Sequence, residues 1–424
     1  MKTSASISLV EFEKTTYKEY KKVITNDWVD RQTITAFTFA SPVFSSTKPP
    51  TLIIGYKNGL IVVYSEEKII NYLNADNRGQ NIFYQKPVSQ ILTTPNDQEI
   101  IAIFNDSSMV RYNVKTTALN ELFLSKFKKF ATKITFNNET KSRLKKTSKG
   151  ITQGAFISDS NPEQSNFYAI NHDSANSNPI SYYRFNCKTI ADAAVIGHPR
   201  FQRSFLKNAD SKSDIILAFV SYDGYFVVFD YEKMEPQFSL KSFFGGYNAF
   251  TFSPNCEYLA LAGHDDCISV LQVETLRMVR CIGHRSFISR AIFQSVPFNS
   301  EDTSEEASKE TFEKCDFIRI IGAGMDSKLS VYELEKSLFR GLSNLPETKA
   351  APIFVNANKL PEPMEVKALT MQGYDEAVGW VELCDNLMVV CTMDGAIVTY
   401  QIQNLVEKNS PTKQKDGSQP EKVK

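Results

Sequence analysis

Apolar residues along the chain recur in short alternating runs, not at helical spacing, and the runs break at turn-forming residues. Six stretches share one grammar: a short apolar run, a turn opened by Asp or Asn, then alternation ending six residues later on an aromatic residue or Leu. They are GYKNGLIVVY (Asn58 to Tyr64), IFNDSSMVRY (Asp106 to Tyr112), SYDGYFVVF (Asp223 to Phe229), GHDDCISVL (Asp265 to Leu271), GMDSKLSVY (Asp326 to Tyr332) and TMDGAIVTY (Asp394 to Tyr400). Each predicts a β-hairpin, because Asn and Asp tolerate the positive φ of a tight turn and the β-branched and aromatic flanks suit a pleated surface. The turn positions fall 48, 117, 42, 61 and 68 residues apart. The interval of 117 has room for a further unit, supplied by NFYAINHD and ISYYRF around the polar loop SANSNP.

The pattern therefore predicts seven units. A strand precedes each hairpin: TITAFTFAS, PVSQILTTP, GITQGAFIS, RFQRSFLKN, YNAFTFSPN, FISRAIFQS and AVGWVELCD. A period near 40 to 45 residues with four strands per unit is the signature of a β-propeller. The expected fold is all-β, a seven-bladed WD40-type β-propeller spanning residues 1–404. After the last hairpin only a polar tail remains, 405–424, whose Pro, Gly and Lys content predicts disorder. The final blade then takes its outer strand from the N-terminus, around ISLVEFEKTTYKEY, which leaves no open sheet edge. Two stretches are expected outside the blades. Residues 126–149 carry nine Lys or Arg against Glu139, and residues 300–316 carry seven acidic groups against two Lys.

Composition adds limits. The 424 residues hold 48 basic and 48 acidic side chains, so no global field attracts nucleic acid or membrane. The N-terminus lacks an uninterrupted apolar segment, and no stretch approaches the roughly 18 apolar residues that span a bilayer. Seven cysteines without a CxxC pair indicate neither a disulfide framework nor a zinc knuckle. Reduced thiols and a cytoplasmic or nuclear location are the expectation. GHDD at 263–266 groups potential metal ligands, but a hairpin turn explains those residue types, and no metal or other cofactor is expected. GAGMD at 322–326 lacks the third glycine of a dinucleotide loop.

The four histidines pose the sharpest question. In GHRSF, His284 stands 42 residues before the turn Asp326, and GHPRF repeats the order with His198 and Asp223. A Gly-His pair ahead of an innermost strand can bond the following turn Asp and stake a blade from within. The same pair could belong to a nucleophilic triad. No GxSxG nucleophile context exists, and the pair recurs with the repeat, as scaffolding does. The reading is a non-enzymatic protein with structural His284–Asp326 and His198–Asp223 pairs.

The segment from NPISYYRF to SKLSVYELE resembles one WD-repeat group in particular, through FFGG at 243–246, FSPNCEYLALAGHDD, GHRSF at 283–287 and GAGMDSKLSVYEL. That group contains vertebrate WD-repeat protein twenty, the dystrophia myotonica WD-repeat protein and fungal CreC. The resemblance implies a non-catalytic propeller that binds and stimulates a ubiquitin-specific protease, commonly alongside a second WD-repeat protein. It also carries over two aromatic positions of the protease-facing surface. Phe244 matches directly, whereas Phe287 stands where the family usually has Trp. The blade-ending Trp-Asp pairs are replaced by Leu-Gln, Phe-Asp and Tyr-Glu. The alternative is an RNA-associated scaffold that uses the basic 126–149 stretch, with Phe127, Phe130 and Phe136 for stacking.

Overall fold

A computed structural model describes residues 14–15, 33–40, 51–65, 68–76, 79–93, 99–105, 109–113, 119–122, 131–136, 154–161, 164–171, 181–185, 190–197, 215–230, 235–294, 312–313, 315–341, 353–384 and 387–401. Within them the protein is all-β, built from several antiparallel meanders in the manner of a β-propeller. A two-residue strand, β1 (Lys14–Thr15), comes first. One sheet follows from β2 (Ile34–Ala40), β3 (Thr51–Tyr56), β4 (Ile61–Ser65) and β5 (Lys68–Leu73), and the next from β6 (Val88–Thr93), β7 (Glu99–Phe104), β8 (Met109–Asn113) and β9 (Leu119–Leu122). A third comprises β10 (Ala131–Phe136), β11 (Gly154–Asn161), β12 (Gln164–Asn171) and β13 (Ser181–Phe185). The fourth contains β14 (Ile190–Gly197), β15 (Ile215–Ser221), β16 (Tyr225–Asp230) and β17 (Glu235–Lys241). The fifth contains β18 (Tyr247–Phe252), β19 (Tyr258–Gly263), β20 (Ile268–Gln272) and β21 (Met278–Ile282). The sixth starts with β22 (Ile288–Gln294), β23 (Phe317–Gly324) and β24 (Lys328–Glu335).

From β24 the chain leaves its own sheet. It adds β25 (Ile353–Asn356) in parallel to the outer edge of β17, then β26 (Met364–Lys367) in parallel to the outer edge of β21. It returns as β27 (Thr370–Gly373), antiparallel to β24. This strap accounts for the 68-residue interval between Asp326 and Asp394, which the hairpin grammar alone did not single out. The last sheet holds β28 (Val378–Cys384), β29 (Leu387–Thr392), β30 (Ile397–Gln401) and, at its outer edge, β1, with Lys14 opposite Tyr400.

One irregularity repeats in every sheet. The first strand slips register after its first paired residue, leaving Thr35, Ser89, Thr132, Ala191, Asn248, Ser289 and Gly379 as bulges. Polar bulge residues find partners nearby: Ser89 Oγ donates to Ile103 O at 3.0 Å, and Ser289 Oγ to Ala323 O at 2.9 Å. First strands of successive sheets lie against one another, β2 with β6, β6 with β10, β10 with β14, β14 with β18, β18 with β22, β22 with β28 and β28 with β2.

Apolar packing lies between sheets, not within one central core. Phe226, Phe238, Leu240, Leu259, Leu261 and Leu271 fill the space between the fourth and fifth sheets, and Ala260, Val270, Ile318 and Tyr332 the space between the fifth and sixth. Ile54 and Tyr64 of the first sheet meet Val389 and Ile397 of the last. A strand buried on both faces must be apolar throughout, which is why YLALAG of β19 shows no alternation and is buried at every position.

The structure corrects several expectations. The basic stretch 126–149 is not wholly outside the sheets, because ATKITF forms β10; its β-branched Thr132, Ile134 and Thr135 favour a strand despite the flanking lysines. The third unit is consequently displaced by one strand: GITQGAFIS contributes the second strand, and NFYAINHD and ISYYRF the third and fourth. In the fourth sheet the first strand is IADAAVIG, whereas RFQRSFLKN lies outside the described residues. The acidic stretch 300–316 is likewise not all insertion, since Phe312 is buried between the fifth and sixth sheets against Phe293 and Tyr258. Residues 405–424 lie outside the described residues.

Candidate functional site

In the first, fifth, sixth and last sheets the hairpin turn and the loop entering the first strand meet at one edge. The residue before the turn Asp or Asn donates its backbone N–H to the carbonyl just ahead of the first strand: Lys57 to Thr33, His264 to Gly246, Met325 to Phe287 and Met393 to Ala377. Both aromatics carried over by resemblance stand on this edge, Phe244 between β17 and β18 and Phe287 between β21 and β22.

Phe244 is 73% exposed, while its neighbour Phe243 turns inward against the fourth and fifth sheets. The loop is held from inside: Ser242 Oγ donates to Gly245 O at 2.6 Å. Gly224, at φ +85°, lets the adjoining turn come so close that a Cβ there would stand 2.2 Å from Gly245 O. A backbone braced in this way presents the ring without collapsing over it.

Phe287 is 48% exposed, and its loop is anchored through His284. His284 Nδ1 donates to Asp326 Oδ1 at 2.8 Å, and Asp326 Oδ2 accepts the Arg285 N–H at 2.9 Å. His284 Nε2 lies 2.6 Å from Ser330 Oγ. Burial opposes ionisation of Asp326, yet the hydrogen bonds from His284 and the Arg285 N–H outweigh it and hold the carboxyl below the usual carboxylate range. Ser330, His284 and Asp326 thus have the connectivity of a nucleophilic triad, but the His284 side chain and Ser330 are fully buried. A substrate would have to open the β23–β24 hairpin to reach the hydroxyl. The chemistry of this trio is to fix the GHRSF loop that ends on Phe287.

Asp223 is arranged differently. Its Oδ1 accepts from Ser221 Oγ. His198 lies outside the described residues, and β14 precedes it, with Ile190 opposite Ser221 and Gly197 opposite Ile215. The expected His198–Asp223 pair thus lies outside the described residues.

Three further rim residues stand outside the sequence expectations. His264 stacks on Phe287 with ring centroids 4.5 Å apart, and Tyr222, 47% exposed, lies 5.9 Å from His264. Met325 is also exposed. Their common signal is position: each immediately precedes a turn Asp, in SYD, GHD and GMD. In GHDD the potential ligands turn to separate partners, His264 Nε2 to Asn248 Oδ1 at 2.7 Å and Asp265 to Arg280 at 2.8 Å.

Below the rim, charges from three first strands approach one another. Asp192 on β14 pairs with Arg290 on β22 at 3.1 Å. Burial pushes the Glu382 carboxyl on β28 upward, partly offset by Arg290.

Sheets packed face to face with a braced aromatic rim make a rigid repeat scaffold suited to holding another macromolecule. The chain is 27% identical over 190 residues, 44% of its length, to the UBP9-binding protein bun62 of Schizosaccharomyces pombe. It is 31% identical over 112 residues, 26% of its length, to a WD repeat-containing protein 20 homolog of Caenorhabditis elegans. These matches span 28% and 14% of the relatives' own lengths. No protein-family model matches the chain. Both relatives carry names of binding or WD-repeat proteins, and the resemblance to the WD-repeat group that contains protein twenty stands on them.

Proposed function

We propose that the chain is a non-catalytic WD-repeat scaffold that binds and stimulates a ubiquitin-specific protease, with Phe244 and Phe287 as its anchors. The observation that carries the reading is the exposure of two aromatic rings on loops braced by Ser242, Gly245, His284 and Asp326. Buried aromatic anchors dominate interface energies, and pre-set loops lower the entropy cost of using them. The name of the fission-yeast relative, a UBP9-binding protein, supports a ubiquitin-specific protease as the partner. The scaffold itself is read as one closed seven-bladed propeller over residues 1–404, located in the cytoplasm or nucleus. The bulge repeated in seven first strands and the packing of β28 on β2 support that closure.

The test uses purified UBP9-type protease and ubiquitin carrying a fluorogenic leaving group. Wild-type protein is expected to bind and to raise turnover. Phe244→Ala and Phe287→Ala should each weaken binding by at least about 2 kcal/mol, roughly thirtyfold, with unchanged melting temperature. Phe287→Trp should hold or strengthen binding. Failure of wild type to bind, or wild-type affinity in both Ala variants, would refute the assignment.

A further inference from the structure

His264 touches both aromatic loops. Its ring lies nearly parallel to Phe287, at 17° and 4.5 Å, with Tyr222 on the rim at 5.9 Å and 30°. Its backbone N–H donates to Gly246 O, and a Cβ added at Gly245 would meet His264 Cβ at 3.0 Å, so it abuts the loop that carries Phe244. Its ring edge is fixed as well. Asn248 Nδ2 donates to Ile288 O at 2.7 Å, which leaves Oδ1 to accept from His264 Nε2–H at 2.7 Å. A polar line thus runs from the His264 ring to the backbone beside Phe287, while the ring face supports Phe287 itself. The network assigns the proton to Nε2 in the neutral ring.

We propose that His264 is the positioning residue of this surface: it holds the Phe287 ring in the orientation a partner receives and sets its spacing from the Phe244 loop. The proposal rests on the protease reading only for its binding assay. A half-exposed Phe without a plate beneath it samples other rotamers, and binding must then restrict it. The role belongs to the ring face, so an aromatic of similar shape should replace it, whereas an amide that keeps only the donor to Asn248 should not.

Two measurements test this. Calorimetric titration with the UBP9-type protease compares wild type, His264→Ala, His264→Phe, His264→Gln and Phe287→Ala, together with the His264→Ala/Phe287→Ala double variant. His264→Ala and His264→Gln are expected to weaken binding about tenfold, and His264→Phe to restore most of it. In the Phe287→Ala background, removing His264 should change affinity less than about twofold, because its effect passes through Phe287. Equal losses in both backgrounds would make His264 a direct contact and overturn the proposal. So would wild-type binding by His264→Ala. The second measurement needs no protease. In Phe287→Trp protein, the anisotropy decay of the new indole, after subtraction of Trp28 and Trp380, should gain a fast component when His264 is replaced by Ala. An unchanged decay overturns the proposal, while a gained fast component with no wild-type binding overturns the protease reading alone.

Discussion

Replacing His284 with Ala removes two contacts from a site without water access. The first is the bond at 2.8 Å to a carboxylate, of the charge-assisted kind that contributes about 1.5–3 kcal/mol. The second is the bond at 2.6 Å that Ser330 Oγ donates to His284 Nε2, about 0.5–1.5 kcal/mol; in the variant the freed hydroxyl proton can turn to Gly322 O, 3.2 Å away, so Ser330 is not left wholly without a partner. Together they predict a loss of about 2–4 kcal/mol, read from urea unfolding by linear extrapolation. The sign of the pH dependence follows from Asp326. Its folded pKa lies below its unfolded value near 3.9, so its contribution is present above that value and lost as pH falls through the folded pKa. The gap between wild type and His284→Ala should therefore shrink below about pH 4. If the variant unfolds at the wild-type urea midpoint, or if the gap widens in acid, the structural account of His284 is wrong.

Phe312→Ala should destabilise by about 3–5 kcal/mol in the same assay, because the ring is buried between two sheets despite its acidic surroundings; a change under about 1 kcal/mol would place it outside the packing. Gly224→Ala should cost about 1–3 kcal/mol, from a positive φ and a Cβ that meets Gly245 O, and should weaken protease binding with it by disturbing the Phe244 loop; wild-type stability would refute the close approach. Glu382→Gln should stabilise the protein at pH 7. A carboxyl with a raised folded pKa loses stability as pH rises above its unfolded value near 4.3, so the gain should grow from pH 4 upward, and a loss at pH 7 would contradict it.

The hairpins were legible because each couples a turn residue of special φ to flanking alternation, as at Asn58–Gly59 and Asp394–Gly395, where the glycines adopt φ +95° and +93°. Charge concealed other elements. ATKITF was hidden by lysines on both sides, and Phe312 by carboxylates, although a strand responds to its own β-branched residues and a buried ring to its neighbours in space. The strap was illegible for another reason. β25 and β26 are four residues each and pair in parallel with strands far back in the chain, so local periodicity carries no record of the partner. Phe244 and Phe287 were marked by resemblance and by the glycines beside them. His264 shows in the sequence only as the residue before a turn Asp, since a stack across two sheets leaves no further spacing.

The strap and β1 also set a schedule for biosynthesis. Phe238 of β17 pairs with Ile353, 115 residues later, and Lys14 pairs with Tyr400, 386 residues later. At about 5–20 residues per second, the outer edge of β17 waits roughly 6–23 s for its partner on the ribosome, and the N-terminal strand waits roughly 20–80 s. An unpaired edge during such intervals is a template for wrong strand pairing. Nascent chains arrested before Ile353 carry the fourth and fifth sheets without their parallel caps, so the outer edges of β17 and β21 stand open at that stage.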